Sequence, residues 1–176
     1  MRKLKANNDV IHIKPWEDSD LDLLFQLNAP EMMQHLGGPE SEEQILKRHK
    51  RYLDLGNKGR MFSIRLLPEL KSVGSVGYWQ TTWNNDSVYE TGWSVLPLYQ
   101  GKGIASKAVK LAIDEASNEK KYKYIHAFPS IDNPASNAIC QKVGFEYISE
   151  CKFEYPPGNF MRCNNWRYNI KDNYNF

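Results

Sequence analysis

Residues 95–108 read VLPLYQGKGIASKA, and this junction constrains the fold more than any other stretch. A β-prone run, ETGWSV (residues 90–95), leads in, and a helix-period stripe of Ile104, Ala105, Ala108, Val109, Ala112 and Ala116 leads out. Gly101 and Gly103 flank Lys102 where the strand ends and the helix begins. A helix N-terminus presents unpaired backbone N–H groups and about half a positive charge. Glycines there let an anion touch the backbone, as in phosphate sites. A tight connection whose glycines merely relieve strain has the same local pattern. The stretch cannot be aligned with the G-x-x-x-x-G-K-[ST] phosphate loop. It fits a dinucleotide fingerprint poorly, because Ser106 stands at the third glycine's place and no acidic residue closes a further strand at the right distance.

The rest of the chain is read around this junction. Residues 10–13 form a strand, and Asp18 or Ser19 caps a helix with Leu21, Leu24, Phe25 and Leu27 on its apolar face. Gly37, Gly38 and Pro39 break the chain before a capping box, Ser41-x-x-Gln44, opens a helix reaching residue 55. Residues 61–67, 72–83 and 88–96 are strand-like, with a turn at Asn84-Asn85-Asp86. After the residue 103–119 helix comes a short strand at 123–128. Asn133-Pro134 then starts a helix that Gly144 ends. Residues 145–149 and 166–170 are closing strands around the loop EYPPGNFMRCNN. No repeat, low-complexity tract or dividing linker interrupts residues 1–176, so one domain is expected, of mixed α/β (α+β) class. Its sheet has six to seven mostly antiparallel strands flanked by helices.

Composition narrows the class of function. A formal net charge of +2 gives no footprint for nucleic acid or membrane binding. The basic N-terminal stretch lacks the apolar core of a signal peptide, and no run approaches the ~20 apolar residues of a membrane span. Cys140, Cys151 and Cys163 are odd in number and form no C-x-x-C pair, so free thiols in a reducing cytoplasm are expected. The four histidines are scattered, and no metal site is expected.

Gln100-Gly101-Lys102-Gly103-Ile104-Ala105 resembles the Q/R-x-x-G-x-G/A motif of the GNAT N-acetyltransferases. Glu90-Thr91-Gly92-Trp93 is similar to the E-I-G-Y/W run of their ribosomal-protein N-terminal acetyltransferase branch. Asn133-Pro134-Ala135-Ser136-Asn137, followed by Lys142-Val143-Gly144-Phe145, resembles that branch's N-x-x-S-N…K-x-G-F segment, and PEMMQHLGGPESEEQ resembles its acceptor-side helices. The resemblance spans nearly the whole chain in order. It implies the acyl-CoA N-acyltransferase fold, acetyl-CoA as co-substrate, no metal, an amine acceptor, and a monomer or homodimer. It places the pyrophosphate on Gln100, Gly101, Lys102, Gly103, Ile104, Ala105 and Ser106. The pantetheine lies along Trp93, Ser94 and Val95, with Asn133 and Asn137 beside it.

The implied reaction moves an acetyl group directly from thioester to amine. An alkylammonium has a pKa of about 10, so a base helps at neutral pH. The resemblance offers Glu90 as base; the alternative is an exposed strand glutamate, since alternation alone does not say which face Glu90 takes. A backbone N–H near Val95 would meet the oxyanion. Many relatives carry a tyrosine as acid where this chain has Cys140. Ser136 and Cys140 are the two candidate proton donors, with water as the third source. An acetyl-cysteine route through Cys140 lacks a base beside it. The expected acceptor wall is Met32, Met33, His35 and Leu36, with Trp79 or Trp83. Glu31, Glu40, Glu42 and Glu43 either attract a cationic acceptor or serve as helix-end carboxylates. The Tyr155-containing loop suits a lid, a dimer contact or a surface loop. The rival reading is a non-catalytic acyl-CoA sensor or scaffold of the same fold. A nucleotide-binding regulator would rest on the glycines alone.

Overall fold

The computed structural model describes residues 11–154 and 157–170. Its elements are β1 (Ile11–Pro15), α1 (Leu21–Leu27), α2 (Pro30–Met33), α3 (Glu42–Leu53), β2 (Gly59–Leu66), β3 (Lys71–Trp83), β4 (Asp86–Val95), α4 (Ile104–Asn118), β5 (Tyr124–Ala127), α5 (Pro134–Val143), β6 (Glu146–Glu154) and β7 (Phe160–Asn169). The strands make one seven-stranded sheet in the order β1-β2-β3-β4-β5-β7-β6. Every neighbouring pair is antiparallel except β4 and β5. This is the mixed, mostly antiparallel α/β architecture expected from the sequence.

The helix ends follow from their caps. Ser41 Oγ accepts from the Gln44 N–H at 3.2 Å, and Gln44 Oε1 accepts from the Ser41 N–H at 2.8 Å. This reciprocal box satisfies donors that α3 leaves open. Asn133 Oδ1 accepts from the Ser136 N–H at 3.1 Å, with Pro134 in the first turn of α5. Gly144 ends that helix at φ +106°, a left-handed value that favours glycine.

Packing on both faces makes the central strands apolar. Phe62 and Ile64 face the core shared with α4 and α5, while Met61 just before them faces Leu23, Leu24, Leu27 and Ile45 of α1 and α3. Ala108, Ala112 and Ala116 are fully buried along one side of α4. Small residues at that spacing let the helix lie close on the sheet, and a larger side chain would overpack it by about 1–3 kcal/mol.

One irregularity positions the site. β4 and β5 are in register only at Tyr89–Ile125 and Glu90–His126. Beyond that point β4 stays with β3 as far as the Gly74–Val95 pair, and the Leu96 N–H donates to the Val73 carbonyl at 2.8 Å. The chain after β5 follows β7 instead. The Asn164 N–H donates to the Pro129 carbonyl at 2.9 Å, and the Ile131 N–H to the Arg162 carbonyl at 3.1 Å. Each strand is held by its other neighbour, so the two diverge and leave a wedge.

Three local expectations are corrected. β6 and β7 continue to Glu154 and from Phe160, so most of the expected EYPPGNFMRCNN loop is strand. Phe25 is 41% exposed, and Leu23 joins Leu24 and Leu27 in the buried face of α1. A 3-10 turn at Asp18–Asp20 precedes that helix, so neither Asp18 nor Ser19 caps it directly. Val10, the first residue of the expected 10–13 strand, and Tyr155 lie outside the described residues.

Candidate active site

The wedge opens into a cleft of about 720 Å³. One wall is residues 91–95 of β4, the other Phe128, Pro129 and Ser130. The glycine loop and the first turns of α5 close one end, and α2 with His35 and Leu36 borders the other side.

At the loop, Gly101 and Gly103 have φ of +74° and +77°. A side chain in that conformation costs about 1–2 kcal/mol. Crowding within the protein does not require glycine at either position. A Cβ at Gly101 would meet nothing within 4 Å, and one at Gly103 would meet only the Lys142 Nζ at 3.5 Å. Open backbone at a helix start, with an ammonium beside it, is a setting for a phosphate. Lys142 makes no ion pair among the described residues and lines the cleft. Lys102, by contrast, is exposed, and its Nζ sits 5.8 Å from the centre of the Tyr99 ring. Lys71 approaches the same ring at 5.5 Å.

Other loop side chains hold the frame. Gln100 Nε2 donates to the Val95 carbonyl at 2.9 Å and reaches Met32 Sδ at 3.5 Å, tying the loop to β4 and α2. The Ser106 hydroxyl donates to the Gly103 carbonyl at 3.1 Å. Ile104 is buried, while Ala105 and Ser106 line the cleft with it. Trp93, Ser94 and Val95 form the wall as expected, and the Trp93 indole N–H is buried without a partner. An unpaired buried donor costs about 1–3 kcal/mol, which a ligand acceptor would recover.

At the closed end of the wedge stands Glu90. It is cross-strand partner to Trp79, whose indole N–H donates to Glu90 Oε2 at 2.6 Å. Burial pushes the Glu90 carboxyl up to about 7, opposed by that hydrogen bond. On the β5 side lies His126, 5% exposed and paired with Asn165 at 2.7 Å. Burial lowers its pKa, so it is neutral at pH 7. Glu90 is therefore a half-buried carboxyl that adjoins the cleft-lining residue Thr91 without itself joining the lining, and its raised titration near neutrality is the property a general base requires.

The other expected residues divide. Asn133 and Ser136 line the cleft at the start of α5, and Met32 and His35 line its acceptor side. Asn137 is corrected. Its amide nitrogen donates to the Ser130 and Asn133 carbonyls at 3.0 and 2.8 Å, and its oxygen accepts from Asn164 and Trp166 at 2.8 and 2.9 Å. It braces the loop that carries Asn133 and does not line the cleft. Cys140 is 0% exposed in the core, outside the cleft, with its thiol pushed up to about 12 by burial. Such a thiol has neither the access nor the acidity of a proton donor. Met33 is also buried, at 2% exposure. Trp79 is a partner of Glu90, and it is absent from the cleft wall. Of the acidic stretch, Glu40 pairs with Arg48, Glu43 pairs with Lys47, Glu42 lies in the first turn of α3 away from the cleft lining, and Glu31 borders the cleft. Lys142 and Tyr99 are additions. The spacing of Ala135, Ile139 and Lys142 along one face of α5 was the readable signal for the lysine.

A family model for the acetyltransferase (GNAT) domain matches residues 11–146, and the chain belongs to that family. Solved structures share the fold. Spermidine N-acetyltransferase from Vibrio cholerae, in complex with CoA and spermine, superposes with a TM-score of 0.77 at 17% identity over 96% of this chain and 100% of that one. Ribosomal-protein-S5-alanine acetyltransferase from Vibrio fischeri gives 0.74 at 20% identity over 92% and 94%. The Salmonella typhimurium acetyltransferase that modifies the N-terminal serine of ribosomal protein L7/L12 gives 0.74 at 18% over 91% and 95%. Among the described residues no helix is long and apolar enough to cross a membrane, and no three His, Cys, Asp or Glu side chains converge on a metal position.

Proposed function

We propose that the chain is an acetyl-CoA-dependent N-acetyltransferase that acetylates a primary amine, either a protein N-terminus or a small molecule, by direct transfer. The observation that carries this reading is the wedge itself: an open phosphate-type loop at one end and, where the two strands part, a half-buried carboxyl titrating near neutrality. The Glu90-Thr91-Gly92-Trp93 and Asn133 to Phe145 motifs support assignment to the ribosomal-protein N-terminal acetyltransferase-like branch.

Each group then has a task. The backbone of residues 101–106 and the Lys142 ammonium hold the pyrophosphate of the co-substrate. The β4 edge at residues 93–95 pairs with its amide-bearing arm like an added strand. Glu90 takes the proton from the acceptor ammonium, and the freed amine nitrogen attacks the thioester carbon. A backbone N–H near Val95 stabilises the charge that develops on the carbonyl oxygen. As the C–S bond breaks, the thiolate takes a proton from Ser136 or from water, and the nitrogen gives up its second proton to restore that donor, leaving the neutral amide and the free thiol. Glu31 borders the acceptor side and favours a cationic amine.

The test is to mix the protein with acetyl-CoA and an amine panel, and to follow free-thiol release. The panel holds polyamines, aminoglycosides, and peptides beginning with Ala, Ser or Met. Amine-dependent release supports the reading and names the acceptor class. Acetyl-CoA binding by calorimetry with no release from any amine would favour a sensor of the same fold, and no binding would refute the phosphate assignment.

A further inference from the structure

Trp79 lies on β3 directly opposite Glu90 on β4. Two contacts fix its ring. The indole N–H reaches Glu90 Oε2 at 2.6 Å, and the far edge of the same ring lies over Gly92. A Cβ at Gly92 would stand 3.0 Å from Trp79 Cη2 and 3.8 and 3.9 Å from Cζ3 and Cζ2. Gly92 has no positive φ, so a turn does not explain it. It is the flat place on β4 that lets the ring lie along the strand with its N–H aimed at the carboxylate.

Among the described residues no cation pairs with that carboxylate. The groups facing it are the neutral His126 on β5 and the Cys163 thiol on β7, which is pushed up to about 11 by burial and by neighbouring negative charge including Glu90. A desolvated, half-buried carboxylate with one side-chain hydrogen-bond donor depends heavily on that donor. The donor occupies Oε2, which leaves Oε1 as the free oxygen.

We infer that Trp79 is the positioning residue of the base: its indole N–H anchors Glu90 Oε2, so Oε1 is the atom that receives the ammonium proton. This rests on the reading of Glu90 as base. The proton moves from the substrate nitrogen to Oε1 and no other bond at Glu90 changes. Trp79 is not in contact with the reacting atoms; it acts through the carboxylate.

The direct test needs no substrate. The carboxyl carbon of Glu90 is titrated by NMR in the native chain, in Trp79→Phe, and in a chain carrying the benzothiophene analogue at position 79. The analogue keeps the ring shape and lacks the N–H. Loss of one hydrogen bond to a charged group should raise the Glu90 midpoint by about one to two pH units in both variants. The kcat at pH 7 should fall about tenfold or more, with the KM for acetyl-CoA within about twofold. In a Glu90→Gln background, Trp79→Phe should cost nothing further. An unmoved midpoint in the benzothiophene chain would overturn the proposal, even if Trp79→Phe shifted it, because the effect would then be packing. A full loss from Trp79→Phe on top of Glu90→Gln would also overturn it. If Glu90→Gln keeps native turnover, the base reading fails; a shifted midpoint would still record the Trp79–Glu90 contact, so the two failures are separable.

Discussion

The two ends of the cleft are built from different materials. The proposed phosphate end is backbone: two left-handed glycines, a helix start and open space. The proposed reaction end is side chain: a half-buried carboxyl at the point where two strands part, held by an indole. Backbone sites tolerate change in the surrounding side chains but not in conformation. Side-chain sites fail when one functional group is replaced. Binding and chemistry should therefore be separable by mutation in this molecule.

Glu90→Gln is the largest expected effect. The kcat for amine-dependent thiol release should fall about 100-fold or more, the usual scale of a general base. Calorimetry should find the affinity for CoA within about twofold of the native chain. A matched loss of both would erase the distinction between the two ends.

Gly103→Ala attacks the other end. It forces a side chain into a left-handed position, costing about 1–2 kcal/mol of stability. It also places a methyl group where the loop is open, and CoA affinity should fall about tenfold while kcat at saturation stays within threefold. Gly101→Ala should show the same strain with less loss of affinity, because its Cβ points to open space and not toward Lys142.

The pH dependence of stability sharpens the contrast. The folded-state pKa of Glu90 is raised from its ordinary value to about 7, so the folded chain binds more protons than the unfolded one between those values. Its contribution is greatest below the ordinary glutamate pKa of about 4.5 and is lost as pH rises through 7. At 1.36 kcal/mol per pKa unit the burial penalty at pH 8 approaches about 3 kcal/mol. Glu90→Gln should gain stability over the native chain at pH 8 and lose that advantage at pH 5, read as urea midpoints.

Smaller effects mark the edges of the site. Lys142→Ala should weaken CoA binding about fivefold at low salt and less at high salt, as expected for a single exposed charge. Cys140→Ala should leave kcat within about twofold, since the thiol is sealed in the core. It should cost about 1 kcal/mol through the small cavity it leaves.

The same contrast governs what the sequence made legible. Gly101 and Gly103 are readable because backbone demands dictate residue type, and the caps at Ser41, Asn133 and Gly144 are readable for the same reason. The face taken by Glu90 was not, because period-two alternation is symmetric until the wedge fixes which side is buried. β6 and β7 were cut short because β6 is an edge strand, exposed at most positions, with no alternating apolar pattern to mark its length. The Pro156-Pro157-Gly158 run was read as the middle of a long loop; of it, Pro157 and Gly158 are described, just before β7 pairs with β6 at Phe160–Glu154. The seven-residue α1 was too short for periodicity to separate Leu23 from Phe25. Asn137 looked like a ligand contact because it stands one turn from Asn133; two of its four hydrogen bonds come from Asn164 and Trp166 of β7, which no local pattern announces.

The most direct measurement is the pH profile of kcat for amine acetylation by the native chain and by Glu90→Gln, with the acceptor saturating. The account predicts a rise through a midpoint near 7 in the native chain, and its disappearance in the variant, which keeps only the limb set by the amine's own ionisation. A midpoint near 7 that survives in Glu90→Gln, at undiminished rate, would contradict the assignment of the reaction end to Glu90.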